Sequence, residues 1–335
     1  MNRLALLVAN LLAAILLAAT PQAAALGGQR AALLVNANQV SDYTAGVLPA
    51  DTVVTRASAG TRLNASCVLV SETTNVARLT YTWSGGACVA GGLLNEPQRT
   101  NRVLRSEEFG NATWDVNHVT VSSDVLAAPD GATTADKIIE TAVNDFHGKG
   151  NQTTYALGSA QRTLSAYLKP AERSWVGLEL YNAVGASTVD TAWFNVSTGA
   201  IGTVQSEITA VLRDAGGGWY RPSVTRTSTL TFIGIGLTPS DGSSSYLGDN
   251  TKGMYYWGAQ LEDGPDASSY IPTTSAAVTR SADVTTIARR NGVYVVDIYR
   301  QNGVTRVTAV AVTAGTYTVP TDVSPVQRIK TRRVN

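Results

Sequence analysis

Charge, cysteine, histidine and long amphipathic runs are all scarce in this chain. Only 15% of its 335 residues are charged. Long solvated helices, which rely on charged side chains for their outer face, are therefore not expected, and Thr-, Ser-, Val-, Ala- and Gly-rich text favours strands and turns. The two histidines, His118 and His147, and the two cysteines, Cys67 and Cys88, fit no zinc-ligand spacing. Either the cysteines form one disulfide, which would close a moderate loop, or they are two buried thiols. A nucleophile elbow, a phosphate loop and a dinucleotide fingerprint are missing too. No cofactor or metal is implied.

Charge is unevenly laid out although the total is only +1. Residues 280–335 carry nine Lys or Arg against Asp283, Asp297 and Asp322, residues 1–50 carry a net +1, and the middle is left at −6. A mildly acidic body with a basic end is not the footprint of a nucleic-acid binder. The basic end taken alone reads as a contact for nucleic acid, lipid head groups or an acidic partner, or as a solvated end with a few Arg–Asp pairs.

The first residues, MNRLALLVANLLAAILLAATPQAAALGG, run apolar from Leu4 to Ala19 with Asn10 as the one interruption. A basic start, an apolar stretch and Ala23-Ala24-Ala25 spell an export signal. The same residues fit a retained apolar helix: Leu4, Leu7, Leu11, Ile15 and Ala18 follow the seam spacing of a bundle, and a membrane anchor stays open.

Beyond residue 100, short alternating runs recur between Gly, Asn, Asp and Ser turns: RTLSAYLKP, SWVGLELYN, DTAWFNVSTG, GGWYRPSVTRT, LTFIGIGLTP and GMYYWGAQLE. This rhythm predicts a β-sandwich. ATTADKIIETAV suits a short helix or a strand. The expected organisation is mainly β: an apolar helix over 1–26, a small β region and connector over 27–100, a jelly-roll sandwich over 101–275, and a basic β meander over 276–335. In the meander, two strands flank the Asn-Gly hairpin signal of QNG, and TAVAVTAG reads as a third strand.

Alternate side chains of a strand share a face. Leu164, Ala166 and Leu168, then Val176, Leu178 and Leu180, then Phe194 and Val196, are the expected inward rows. If the three strands are neighbours, Tyr167, Trp175, Tyr181 and Trp193 form an outward aromatic platform beside Glu179 and Asn195. Aromatic faces stack on sugar C–H faces while amide and carboxylate groups bond hydroxyls, so these six residues are the glycan-binding candidates. The alternative is that a neighbouring domain or subunit covers them. Trp219, Tyr220 and Trp257 are expected in packing.

The stretch GGLLNEPQRTNRVLRSEEF, residues 91–109, has no clean period. It reads as a connector in which Leu93 and Leu94 plug a core while Glu96, Arg99 and Arg102 pair with one another or with carbonyls. The rival is a catalytic loop with Glu96, Glu107 or Glu108 as acid and base.

Residues 52–282 resemble structural proteins of tailed bacteriophages and prophages. The likeness rests on an ordered set: Thr55–Ser58 (TRAS), Asn75–Arg78 (NVAR), Gly92–Asn101 (GLLNEPQRTN) and Ser106–Trp114 (SEEFGNATW), then DGATTADKI, LSAYLKP, GGWYRPSV and YYWGAQLEDGPDASSYIPT. The resemblance implies a virion appendage of tail-fibre, spike or decoration type, with a lectin-like or carbohydrate-binding-module-like jelly roll. It also implies a homo-oligomer, with a trimer favoured, that meets other virion proteins and a host surface glycan. The apolar start departs from the family pattern. A secreted or envelope-anchored bacterial carbohydrate-binding protein and a polysaccharide depolymerase are the alternatives.

Overall fold

The computed structural model describes residues 39–151, 160–182, 188–228 and 232–334. Both readings of the apolar start lie outside the described residues. The described chain is mainly β, and Thr133–Glu140, the segment with two readings, is a strand.

Two six-stranded antiparallel sheets form the central unit. The first runs, in spatial order, Thr209–Gly216, Trp219–Ser228, Ala160–Pro170, Gly253–Asp263, Thr133–Glu140 and Val119–Ala127. The second runs Ala200–Val204, Thr188–Asn195, Trp175–Asn182, Phe232–Thr238, His147–Asn151 and Trp114–Asn117. Leu164, Ala166 and Leu168 of the first sheet and Val176, Leu178, Leu180, Phe194 and Val196 of the second are fully buried in one shared core. Alternation therefore set the inward rows, although on Ala160–Pro170 the intervening Thr163, Ser165 and Tyr167 are buried as well, beneath other parts of the chain.

Segment 106–114 is fastened to this unit through one carboxylate. Asp136, on Thr133–Glu140, accepts backbone N–H bonds from Phe109 at 2.7 Å, Gly110 at 3.3 Å and Asp124 at 3.0 Å. Phe109 and Trp114 then stack at 4.5 Å inside the core.

The two ends of the described chain build a second unit together. Its largest sheet has the order Gly303–Val312, Gly292–Arg300, Asp322–Val334, Ala87–Asn95 and Leu79–Ser84, with Gln39–Asp42 also paired to Asp322–Val334. Thr52–Thr55, Val284–Ala288 and Thr316–Val319 form a smaller sheet. Tyr43, Leu93, Ile287, Val296, Ile298, Val326 and Ile329 share its core. Residues after 276 are thus not a self-contained meander: they complete a sheet whose other strands precede residue 100. The hairpin around Gln301 and Asn302 is present, with Arg300 opposite Gly303. TAVAV is not a separate strand but the continuation of Gly303–Val312.

Cys67 and Cys88 are bonded, with Cα atoms 5.6 Å apart, and tie the turn between Gly60–Leu63 and Leu69–Glu72 to the start of Ala87–Asn95. The closed loop spans a sequence separation of 21. By the loop-closure argument such a cross-link stabilises by roughly 3 kcal/mol.

Candidate functional site

The connector residues meet in a buried ionic cluster between the two units. Arg56 reaches Asp283 at 3.0 Å, and Arg78 bridges Asp283 and Glu96, the latter at 2.8 Å. Arg280 stands 3.4 Å from Glu96. All five side chains are at most 1% exposed. Burying charge is offset where most remaining donors and acceptors are filled, although the Nε atoms of Arg78 and Arg280 have no partner here. Here Glu96 also accepts from Ser269 N at 2.8 Å and Ser269 Oγ at 2.7 Å, and Asp283 accepts from Glu96 N at 2.9 Å. Arg56 donates to the carbonyls of Ser58, Val76 and Thr73. Burial alone would raise the Glu96 carboxyl, but Arg280, Arg78 and Ser269 outweigh it and hold it at about 2.

Glu96, Arg99 and Arg102 do not pair with one another. Arg99 stands 3.4 Å from Glu262, and Arg102 bonds Asp263 at 2.6 Å. Asn101 fixes the same crossing: its Nδ2 donates to Ala259 O at 3.1 Å and Ile271 O at 2.8 Å, and its Oδ1 accepts from the N–H groups of Val103 and Leu261. Glu107 accepts from Tyr270 Oη at 3.0 Å, and Glu108 pairs with Arg105 at 3.1 Å. TRAS, NVAR, GLLNEPQRTN and the Ser269 segment therefore converge on one junction. Arg56, Arg78, Glu96, Asn101, Glu262 and Tyr270, hundreds of residues apart in places, hold the units to each other.

The aromatic candidates separate. Tyr167 lies on the first sheet, whereas Trp175, Glu179, Tyr181, Trp193 and Asn195 lie on the second, so Tyr167 is not part of the platform. It is 5% exposed, packs on Trp257 at 5.5 Å, and carries the Arg221 guanidinium 5.1 Å over its ring. The pleat sets which way a side chain points, not which sheet its strand joins. Asn195 serves its own turn, accepting N–H bonds from Ser197 at 3.0 Å and Thr198 at 3.2 Å. Trp193 is 5% exposed and donates its indole N–H to Ser243 O at 3.1 Å, beneath the loop that follows Thr238. Trp219 and Trp257 are buried, as expected of packing residues.

Trp175, Glu179 and Tyr181 remain, partly exposed on the outer face of the second sheet. Beside them runs a floor of glycine. Gly148 pairs with Gly236 and Gly150 with Gly234, while Gly177 and Glu179 pair with Gly236 and Gly234 from the other side. Without side chains on this floor, neighbouring rings lie across it. A Cβ at Gly150 would sit 1.9 Å from Phe232 Cζ, and one at Gly236 would sit 2.4 Å from Phe146 Cε2. Phe146 and Phe232 are thus members of the face that the alternation rule missed. Tyr181 meets Phe232 edge-on at 6.4 Å. Glu179 leans over Gly234, and its carboxyl has no hydrogen-bond or ion-pair partner among the described residues.

Burial raises the Glu179 carboxyl from an ordinary 4.5 to about 7. Between those values the folded chain holds a proton that the unfolded chain has released, so stability falls as pH rises through this window. Glu179→Gln should remove that decline. Denaturant midpoints of the two proteins should coincide near pH 4.5 and separate, with the variant higher, above pH 7. Parallel pH curves would contradict the assignment.

Chemically, the face offers ring surfaces and a carboxyl that, among the described residues, has no partner, which suits a polyhydroxylated ring better than an apolar ligand. Among the described residues no cluster of three or more His, Cys, Asp or Glu side chains is placed to hold a metal ion. Compared with known proteins, the chain matches no family model and no curated sequence.

Proposed function

We propose that this chain is a non-enzymatic virion appendage protein of a tailed phage or prophage, of tail-fibre, spike or decoration type, acting as a homotrimer. Its central unit is a jelly roll that displays a glycan-binding face toward the host. The observation that carries the binding part is the outer face of the second sheet: Trp175, Tyr181, Phe146 and Phe232, partly exposed around the unpartnered Glu179 on a glycine floor. The virion part rests on the ordered motifs. Convergence of several of them on a buried junction supports an architectural role, and Glu96, Glu107 and Glu108 have structural partners in Arg78, Tyr270 and Arg105.

Trp175→Ala and Tyr181→Ala should each weaken adsorption to host cells, or binding on a glycan array, by roughly tenfold while the denaturation midpoint stays close to that of the parent. Unchanged binding by a folded double variant would remove the glycan-binding part. A capsule or lipopolysaccharide digest should release no new reducing ends.

The disulfide favours a second reading, a secreted or envelope-anchored carbohydrate-binding protein, because such bonds form and persist in oxidising compartments. Mass spectrometry of the native amino terminus separates the two: removal after Ala25 supports export, and retention of Met1 on a particle supports the appendage.

A further inference from the structure

A second recess lies away from the aromatic face, where the edge hairpin of the first sheet meets Leu79–Ser84 of the terminal unit. It encloses about 520 Å³, with Trp83, Arg213, Arg221, Asp266 and Asn302 among its walls. Arg213 and Arg221 stand directly opposite each other on the paired strands Thr209–Gly216 and Trp219–Ser228. Like charges in that position repel across the ladder.

Neither arginine has an ion-pair partner among the described residues. Arg221 is 8% exposed; it donates from Nη1 to Ser268 O at 2.7 Å and from Nη2 to Ser165 Oγ at 3.0 Å, while its Nε is buried with no partner. Arg213 is exposed to the recess and has no hydrogen-bond partner among the described residues. Burial and Arg221 both depress its guanidinium, against a pull from Asp266. The acids nearby are otherwise engaged or out of reach. Asp214 accepts Gly216 N at 2.9 Å, Glu262 is held by Ser268, Gln260 and Arg99, and Glu96 belongs to the ionic cluster. Asp266 lines the recess beyond ion-pair distance of either guanidinium.

Arg213, facing the recess without an anion and with the charge of Arg221 directly opposite, presents a guanidinium fork that matches a carboxylate. Trp83, whose ring packs against Gly216 and is partly exposed, supplies a surface for a sugar ring beside that fork. We propose that this recess binds an acidic saccharide, its carboxylate held by Arg213 in the positive field of the opposing Arg221 and its ring set against Trp83. The site is separate from the face around Glu179 and stands or falls without it.

Titration calorimetry of the full chain with oligogalacturonate, a dextran sulfate oligosaccharide and a neutral malto-oligosaccharide tests the proposal. Oligogalacturonate should bind, more weakly as salt increases, and the neutral sugar should not. Arg213→Gln should weaken binding by roughly tenfold to a hundredfold, since one charge-assisted contact is lost. Arg213→Lys should restore part of it, and Trp175→Ala should leave it unchanged. A denaturation midpoint matching the parent's verifies that the replacement leaves the fold intact. Absence of oligogalacturonate binding to the parent, equal binding by Arg213→Gln, or binding of dextran sulfate alone overturns the assignment.

Discussion

Replacing Arg78 with Met should cost about 3–5 kcal/mol of stability, the range for breaking a buried ion pair from one side. The side chain is fully buried and donates to Thr61 O at 2.9 Å and Ser269 Oγ at 2.6 Å besides bridging Glu96 and Asp283. Burial works against its charge, but the two carboxylates outweigh it and raise the guanidinium further. Without Arg78, Glu96 keeps Arg280, at 3.4 Å, as its one cation partner among the described residues. The pH response should shift as well. Glu96 titrates near 2 when folded and at 4.5 ordinarily, so its contribution is complete above 4.5 and lost as pH falls toward 2. In Arg78→Met the folded value climbs toward 4.5 and that acid-side loss shrinks. Urea titrations at neutral and acid pH measure both effects. Glu96→Gln in the Arg78→Met background should cost far less than in the parent, because the partners share one network. A fall below about 1 kcal/mol for Arg78→Met would mean that water or a shifted neighbour takes over the vacated bonds.

Gly92→Ala should be nearly as damaging, by about 3–5 kcal/mol, through the backbone alone. Gly92 has φ +120°, a conformation that side-chain-bearing residues rarely adopt, and its Cβ would lie 2.4 Å from the carbonyl oxygen of Val326. No rotamer relieves a clash between two main chains. Gly92 lies where Ala87–Asn95 meets Asp322–Val334, so the strain falls on the seam that joins early strands to late ones. Loss of protection in hydrogen exchange should concentrate on residues 87–95 and 322–334, with the central sheets retained. Uniform loss across both units would show that they unfold as one.

How much of this was legible beforehand depends on whether the signal is local. The rows Leu164–Leu168 and Val176–Leu180 were, because apolar alternation over five residues specifies a pleated face. The convergence of Arg56, Arg78 and Glu96 on Asp283 was not. Arg56 and Asp283 are 227 residues apart, and nothing in a short window reports such pairing. Tyr167 was misplaced because its strand resembles that of Trp175 in pattern but joins the opposite sheet. Phe146 and Phe232 were missed for another reason: their outward neighbours are Gly148, Gly150, Gly234 and Gly236, so no polar or aromatic alternation marks the face. The cue was present in HGKG and GIG, where glycine occupies every second position of adjoining strands and clears space for a ring from next door.

Asp322–Val334, held between Gly292–Arg300 on one side and Gln39–Asp42 and Ala87–Asn95 on the other, also imposes an order on biosynthesis. The central sheets have all their strands once residue 263 has emerged from the ribosome, whereas Gln39–Asp42 and Ala87–Asn95 must wait for Asp322–Val334. Messages cut short before that strand would yield chains with a finished middle and unpaired early edges open to aggregation or proteolysis.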